Sequence, residues 1–123
     1  MKKRNIAIGL PSMGVEEWEA CRVPIESGWI TQGPKVKEFE TNFAIRHKVK
    51  YAFAVSNCTT ALHLGLLACG VKEGDEVIVP AFTWVSTANA VKYCGAKPVF
   101  VDIDISTFNI DIDKIEEKIT DKT

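Results

Sequence analysis

The segment Ser56-Asn57-Cys58-Thr59-Thr60-Ala61-Leu62-His63 has the residue types and spacing to hold an anion. An apolar run, Tyr51 to Val55, leads into it, and a helix-forming stretch, Ala61 to Cys69, leads out. The first amides of a helix have no partner within it, and the helix dipole adds partial positive charge at the same end. A phosphate satisfies both, with the hydroxyls of Thr59 and Thr60 as further donors. The same residues also suit a plain helix cap, because Ser, Asn and Thr are favoured caps.

A second segment, Pro80-Ala81-Phe82-Thr83-Trp84-Val85-Ser86-Thr87-Ala88-Asn89, follows another apolar run and again leads toward a helix. In a parallel α/β sheet, ligands sit at the carboxyl ends of the strands, so the two loops are expected on one rim. Trp84 then offers a flat ring beside the phosphate turn, which suits a small phosphorylated aromatic ligand. Stacking of that kind contributes roughly 0.5–1.5 kcal/mol beyond buried area. Taken alone, an indole at this position reads more readily as core. His63 reads as a surface or packing residue, and Trp29 with Thr31 as a loop holding a packed aromatic. Asp102, Asp104, Asp111 and Asp113 lack the spacing and glycine of a calcium loop and read as solvated turns and a helix cap. Neither G-x-G-x-x-G after a strand nor G-x-x-x-x-G-K-[ST] occurs.

The elements that must position these residues follow from periodicity and punctuation. Val15, Trp18, Arg22 and Ile25 mark a helix closed by Ser27-Gly28. Gly33-Pro34 ends a loop, and a second helix runs from Lys35 to His47 with Val36, Phe39 and Phe43 on one face. From Tyr51 the pattern changes to strand 51–55, a helix from about Thr60 to Cys69, strand 76–80, a helix 85–93 and strand 97–102. Gly70 and Gly95 stop the two helices, and residues 71–75 form a turn. A short final helix starts at Asp111, with Ile112, Ile115 and Ile119 as its apolar side. The order β-α-β-α-β predicts a largely parallel sheet flanked by helices. The expected division is 1–50, two helices and a loop, and 51–123, the alternating part.

The 123 residues suit one domain of ordinary globular composition, 46% hydrophobic and 25% charged. Fifteen basic and sixteen acidic residues, net charge −1, are spread evenly and give no nucleic-acid footprint. No apolar run approaches the roughly 20 residues that cross a bilayer. Ile6 to Leu10 is too short for a signal segment and ends at Pro11, so cytoplasm is the expected location. Cys21, Cys58, Cys69 and Cys94 are widely and irregularly spaced and, with two distant histidines, make a poor metal set. Cys69 and Cys94 read as small core residues.

Three blocks carry a resemblance: residues 27–34 (SGWITQGP), 56–62 (SNCTTAL) and 80–89 (PAFTWVSTAN). Residues 95–102 (GAKPVFVD) and 115–123 follow in order. Together they resemble the sugar aminotransferases of the DegT/DnrJ/EryC1/StrS family. The resemblance implies the N-terminal part of a fold-type I, aspartate aminotransferase-like scaffold and pyridoxal 5′-phosphate (PLP) as cofactor. Carried over by residue, it implies that Thr59 and Thr60 hold the cofactor phosphate, mainly through backbone N–H groups, and that Trp84 stacks on the pyridine ring. Cys58, Ser86 and Asn89 fall on the cofactor side, and Gly28, Trp29, Ile30 and Thr31 line the sugar-nucleotide side. The implied reaction moves an amino group, usually from glutamate, onto a keto sugar linked to a nucleotide, in cell-surface polysaccharide biosynthesis. A homodimer with its active site between subunits is implied as well.

The resemblance also marks a departure. Members of that family are roughly three times as long, and the lysine that forms a Schiff base with the cofactor lies downstream of the matching region. The chain therefore holds no catalytic residue of that motif and is expected to be an N-terminal portion, inactive alone and prone to associate through an uncovered apolar edge. The alternatives are a truncated, non-catalytic domain that binds a phosphate ligand or a partner, and a PLP dehydratase or regulator on the same scaffold.

Overall fold

The computed structural model describes residues 9–123. The basic N-terminus and most of the short apolar run after it lie outside the described residues. Contacts divide the chain between Ala54 and Val55 into two units.

In the first unit, α1 spans Val15–Ser27 and α2 spans Pro34–His47. Gly14 caps α1, and its N–H donates to the Glu17 carboxylate three residues on, at 2.6 Å. Gly28, at φ 73°, ends α1 in the left-handed conformation that glycine adopts without steric cost. Pro34 opens α2 at its first position, where the missing N–H costs nothing. Neither helix has a buried residue, so the predicted apolar stripes are open: Trp18 is 66% exposed and Phe39 56%.

The apolar run 51–55 is not a strand. A strand needs a backbone ladder, and among the described residues no neighbour pairs with this one. The Ala54 N–H donates instead to the Glu40 carboxylate at 3.0 Å.

The second unit is α/β. It contains α3 (Cys58–Ala68), β1 (Glu76–Pro80), α4 (Ser86–Tyr93) and β2 (Lys97–Val101). β1 and β2 pair in parallel, Glu76 opposite Lys97 through Pro80 opposite Val101. The ladder extends at both ends through Lys97 N–H to Asp75 C=O (2.9 Å) and Ala81 N–H to Val101 C=O (2.8 Å). α4 is the crossover that a parallel pair requires. Its C-terminal half covers the sheet: Val79, Val91 and Ala96 form a small buried core, joined by half-buried Leu66, Val71, Val77 and Cys94. Cys94 is thus a core-side residue as expected, whereas Cys69 is exposed beyond the end of α3 and is not. Gly70 and Gly95, at φ 83° and 74°, stop their helices as predicted.

The final segment differs from the expected helix. It forms two 3-10 turns, Ile112–Lys114 and Glu116–Lys118. Asp111 caps the first by accepting from the Asp113 N–H at 3.1 Å. Ile112 and Ile119 remain exposed, so no apolar face holds an α-helix in place. The aspartates act as turn residues. Asp104 accepts from the amides of Ser106 and Thr107 at 2.7 and 3.1 Å and from the Ser106 hydroxyl. Lys114 bridges Asp111 and Asp102 at 3.1 and 3.7 Å. Among the described residues no group of His, Cys, Asp and Glu is placed to hold a metal ion, and no helix is long and apolar enough to cross a membrane.

Glu76 ties the start of β1 to two other segments. It accepts from Lys97 Nζ at 2.9 Å and from the Thr120 hydroxyl at 2.8 Å. The Lys97 bond, then the Thr120 bond, holds its carboxyl below the usual glutamate value of 4.5. A lowered folded-state pKa gives stability that is present above the unfolded value and lost as pH falls through the folded one. Glu76→Gln is therefore expected to flatten the acid limb of the stability curve below about pH 4.5. Denaturant melts from pH 3 to 6 check this, and identical acid limbs in both proteins would contradict it.

Leu62, Leu64 and Leu67 on α3 are 39%, 48% and 47% exposed, and Phe100 on β2 is 53% exposed. Only Val79, Ala90, Val91, Ala96 and Val101 form the buried core of the described residues. Open apolar surface of this extent drives association. The 123-residue chain is expected to elute as a concentration-dependent oligomer in size-exclusion chromatography with light scattering. A stable monomer at tens of micromolar would overturn that expectation.

Candidate functional site

The site is built from the starts of α3 and α4. α3 begins two residues earlier than periodicity suggests, because Asn57 caps it. The Asn57 Oδ1 accepts from the Thr60 N–H at 2.9 Å and from the Thr60 hydroxyl at 3.2 Å. The Ser56 and Thr60 hydroxyls also lie 3.3 Å apart. The cap reading and the anion reading are thus divided between residues. Thr60 has its N–H and hydroxyl engaged by the cap, and only the amides before it are open. Among the described residues nothing accepts from the N–H groups of Cys58 and Thr59 or bonds to the Thr59 hydroxyl. The open donors are therefore Cys58 N–H, Thr59 N–H and Thr59 Oγ1, shifted one residue back from the Thr59–Thr60 pair expected from sequence. Neither α3 nor α4 carries an acidic residue in its first turn, so no carboxylate opposes an anion there.

The second loop runs from the end of β1 into α4. Trp84 is 79% exposed. The reading of Trp84 as core is corrected: the indole stands just ahead of α4, beyond the part of that helix that packs on the sheet. Trp84 C=O accepts from the Thr87 N–H at 3.0 Å, and the hydroxyls of Thr83 and Thr87 lie 3.2 Å apart, which fixes the loop onto the helix. Ser86 and Asn89 are half-buried in the first turn of α4, and among the described residues their side chains have no hydrogen-bond partner. Phe82, which no periodicity singles out, lies 5.9 Å from Phe108 ring to ring. Phe108 sits in a turn at φ 59°, a position without periodic signal.

α3 packs against α4. Leu66, late in α3, shares the core with Val91 and Cys94, late in α4. Mid-α3 His63 meets Tyr93 edge-on at 5.6 Å. The C-terminal halves of the helices therefore lie together. The first turn of α4, Ser86–Asn89, follows directly on the loop that leaves β1. His63 is a packing residue between the helices, as read from sequence.

The loop Gly28–Pro34 belongs to the first unit. Gly28, Trp29, Ile30 and Thr31 are all exposed. Trp29 turns inward on its own loop, with Nε1 donating to the Gln32 C=O at 3.0 Å. The packed-aromatic reading holds only in part: the indole folds onto its own loop but stays 56% exposed.

Comparison with known proteins follows the same outline. The sequence pattern of the DegT/DnrJ/EryC1/StrS aminotransferase family matches residues 11–123. GDP-perosamine synthase of Escherichia coli O157:H7 is 47% identical over 121 residues, covering 98% of this chain and 33% of that protein. The PLP form of a sugar aminotransferase, Spr1654 from Streptococcus pneumoniae, superposes with a TM-score of 0.88 at 38% identity, over 98% of this chain and 31% of that one. The E. coli GDP-4-keto-6-deoxy-D-mannose-3-dehydratase with bound hydrated PLP superposes with a TM-score of 0.86, also at 38% identity, over 97% and 32%. The chain thus spans about a third of the length of these relatives, and its α/β arrangement is that of the corresponding part of their fold. On sequence and structure alike, the chain belongs to the DegT/DnrJ/EryC1/StrS aminotransferase family.

Proposed function

We propose that the protein carrying this chain is a PLP-dependent aminotransferase that moves an amino group, from glutamate, onto a nucleotide-linked keto sugar in polysaccharide biosynthesis. We place it in the cytoplasm and read it as a homodimer. One observation supports the reading: α3 begins with open amides, and an exposed indole stands just ahead of α4, the helix that packs on α3. The donors fit the cofactor's phosphate. Cys58 N–H, Thr59 N–H and the Thr59 hydroxyl can each donate to a phosphate oxygen, with the α3 dipole adding attraction. Trp84 fits the flat ring. Ser86 and Asn89 present polar side chains along the same rim.

The cofactor, when bound, supplies the electron sink that transamination needs. This chain's residues hold and orient it. The Cys58 and Thr59 amides and the Thr59 hydroxyl would hold the phosphate end through charge-assisted hydrogen bonds, and the Trp84 indole would lie against the flat ring. Residues 51–123 would serve as the first half of the cofactor-binding domain, and residues 1–50 carry the Gly28–Thr31 loop, read as a contact for the sugar nucleotide. No lysine here matches the family's covalent anchor, so the 123 residues alone do not catalyse transamination.

The test is addition of PLP to the complete protein. A new visible absorption band that persists through desalting supports the reading, and a protein that stays colourless refutes it. The likeness to a dehydratase at the same 38% identity favours a second reading, sugar dehydration on the same cofactor. Product analysis with a GDP-linked 4-keto sugar separates the two: an amino sugar supports the first, loss of a hydroxyl the second.

A further inference from the structure

Resting on the reading of Gly28–Thr31 as the sugar-nucleotide side, we propose that Trp29 is a positioning residue. Its indole latches the Gly28–Pro34 loop from within, and Gly33 is the seat the latch requires. Both ends of the loop are anchored. The Trp29 N–H donates to the Ser27 hydroxyl at 3.3 Å, and that hydroxyl donates to Pro24 C=O at 2.9 Å, on α1. At the far end Gly33 C=O accepts from the Lys37 N–H at 3.1 Å, on α2. Between these anchors the indole closes the loop through its bond to Gln32 C=O, 3.0 Å long.

An indole has a single N–H and no other donor, so Trp29 has none left for a ligand. The ring lies directly over Gly33. A Cβ at Gly33 would stand 2.5 Å from Trp29 Nε1 and 2.8 Å from its Cδ1 and Cε2. The Gly33 backbone, at φ −165°, is extended and open to any residue. Glycine is needed there for the room its missing side chain leaves, not for its conformation. The Trp29 ring stays 56% exposed with its N–H committed to the loop, and Ile30, 74% exposed, and Thr31 stand beside it. Trp29 governs ligand affinity by fixing where they stand.

Two variants of the complete protein separate a latch from a contact. Trp29→Phe keeps an aromatic ring but removes the donor. Gly33→Ala keeps the donor but fills the seat. The first readout is indole N–H exchange by 1H–15N NMR, with the peaks of Trp18, Trp29 and Trp84 assigned by single Trp→Phe substitutions. The Trp29 signal is expected to exchange about tenfold more slowly than that of Trp84 and to lose this protection in Gly33→Ala. Equal rates for Trp29 and Trp84 in the unsubstituted protein would overturn the proposal. The second readout is kinetics with GDP-4-keto-6-deoxymannose. Each variant is expected to raise KM about tenfold with kcat within about twofold, the sign of lost binding common to ground and transition states. The double variant should be no worse than the weaker single one, because both break one device. Additive losses would show two independent roles and overturn the latch. If the unsubstituted protein does not turn over that sugar at all, the reading of this GDP sugar as substrate fails, while the exchange measurement still decides the latch.

Discussion

Cys58→Pro is expected to weaken PLP binding to the complete protein by about 10- to 100-fold while leaving α3 intact. Proline is well tolerated at the first position of a helix, where its fixed φ suits the turn and its missing N–H has no helical partner to lose. Asn57, extended at φ −167° and ψ 170°, already has the conformation that a following proline prefers. The substitution thus removes one open donor from the proposed cradle and little else. A hydrogen bond to a charged group contributes about 1.5–3 kcal/mol, which sets the expected loss. Cys58→Ala is the control: it removes the thiol but keeps the amide, and it should bind PLP nearly as well as the unsubstituted protein. Fluorescence titration with PLP, alongside far-ultraviolet circular dichroism, checks both. If Cys58→Pro binds like Cys58→Ala, the phosphate is not held by this amide.

The second large effect concerns the core. Val91→Asp is expected to destabilise the second unit by about 3–5 kcal/mol, the range for an uncompensated buried charge. Val91 is 1% exposed and sits among Val79, Ala96 and Leu66. A whole domain commonly has only about 5–15 kcal/mol of net stability, so one buried carboxylate removes a large share. The loss should shrink at low pH, because burial favours the neutral acid and raises the new carboxyl's pKa. Urea unfolding at pH 4 and pH 7 measures it. An unchanged midpoint at pH 7 would mean that α4 does not pack on the sheet as described.

The parts of the fold legible in the sequence are those fixed by local chemistry. Gly28, Gly70 and Gly95 marked helix ends, and each takes the left-handed conformation there. The runs 76–80 and 97–101 each found the other, because one crossover helix of suitable length joins them. The segment 51–55 departs from the expected strand because its apolar run says only that it could be covered. A ladder needs a neighbour, and composition does not supply one. The start of α3 precedes the periodic run because periodicity reports where a helix buries residues and not where a cap begins it.

Site residues divide the same way. The Ser56–Thr60 turn was visible as a cluster of small polar side chains, yet which amides remain open depends on the Asn57 rotamer, which no spacing reveals. Asn57 three residues before Thr60 was the available signal for the cap. The exposure of Trp84 could not be read from its neighbours, because Phe82 and Val85 flank it with equally apolar character. They too are exposed, at 66% and 65%.

Asn57 grips both the amide and the hydroxyl of Thr60, and this has a thermodynamic consequence. The turn is preorganised, so an anion held there as proposed would find its donors already aimed and need not freeze the backbone to recruit them. Less configurational entropy is lost on association, and more of the gross attraction survives as measured affinity.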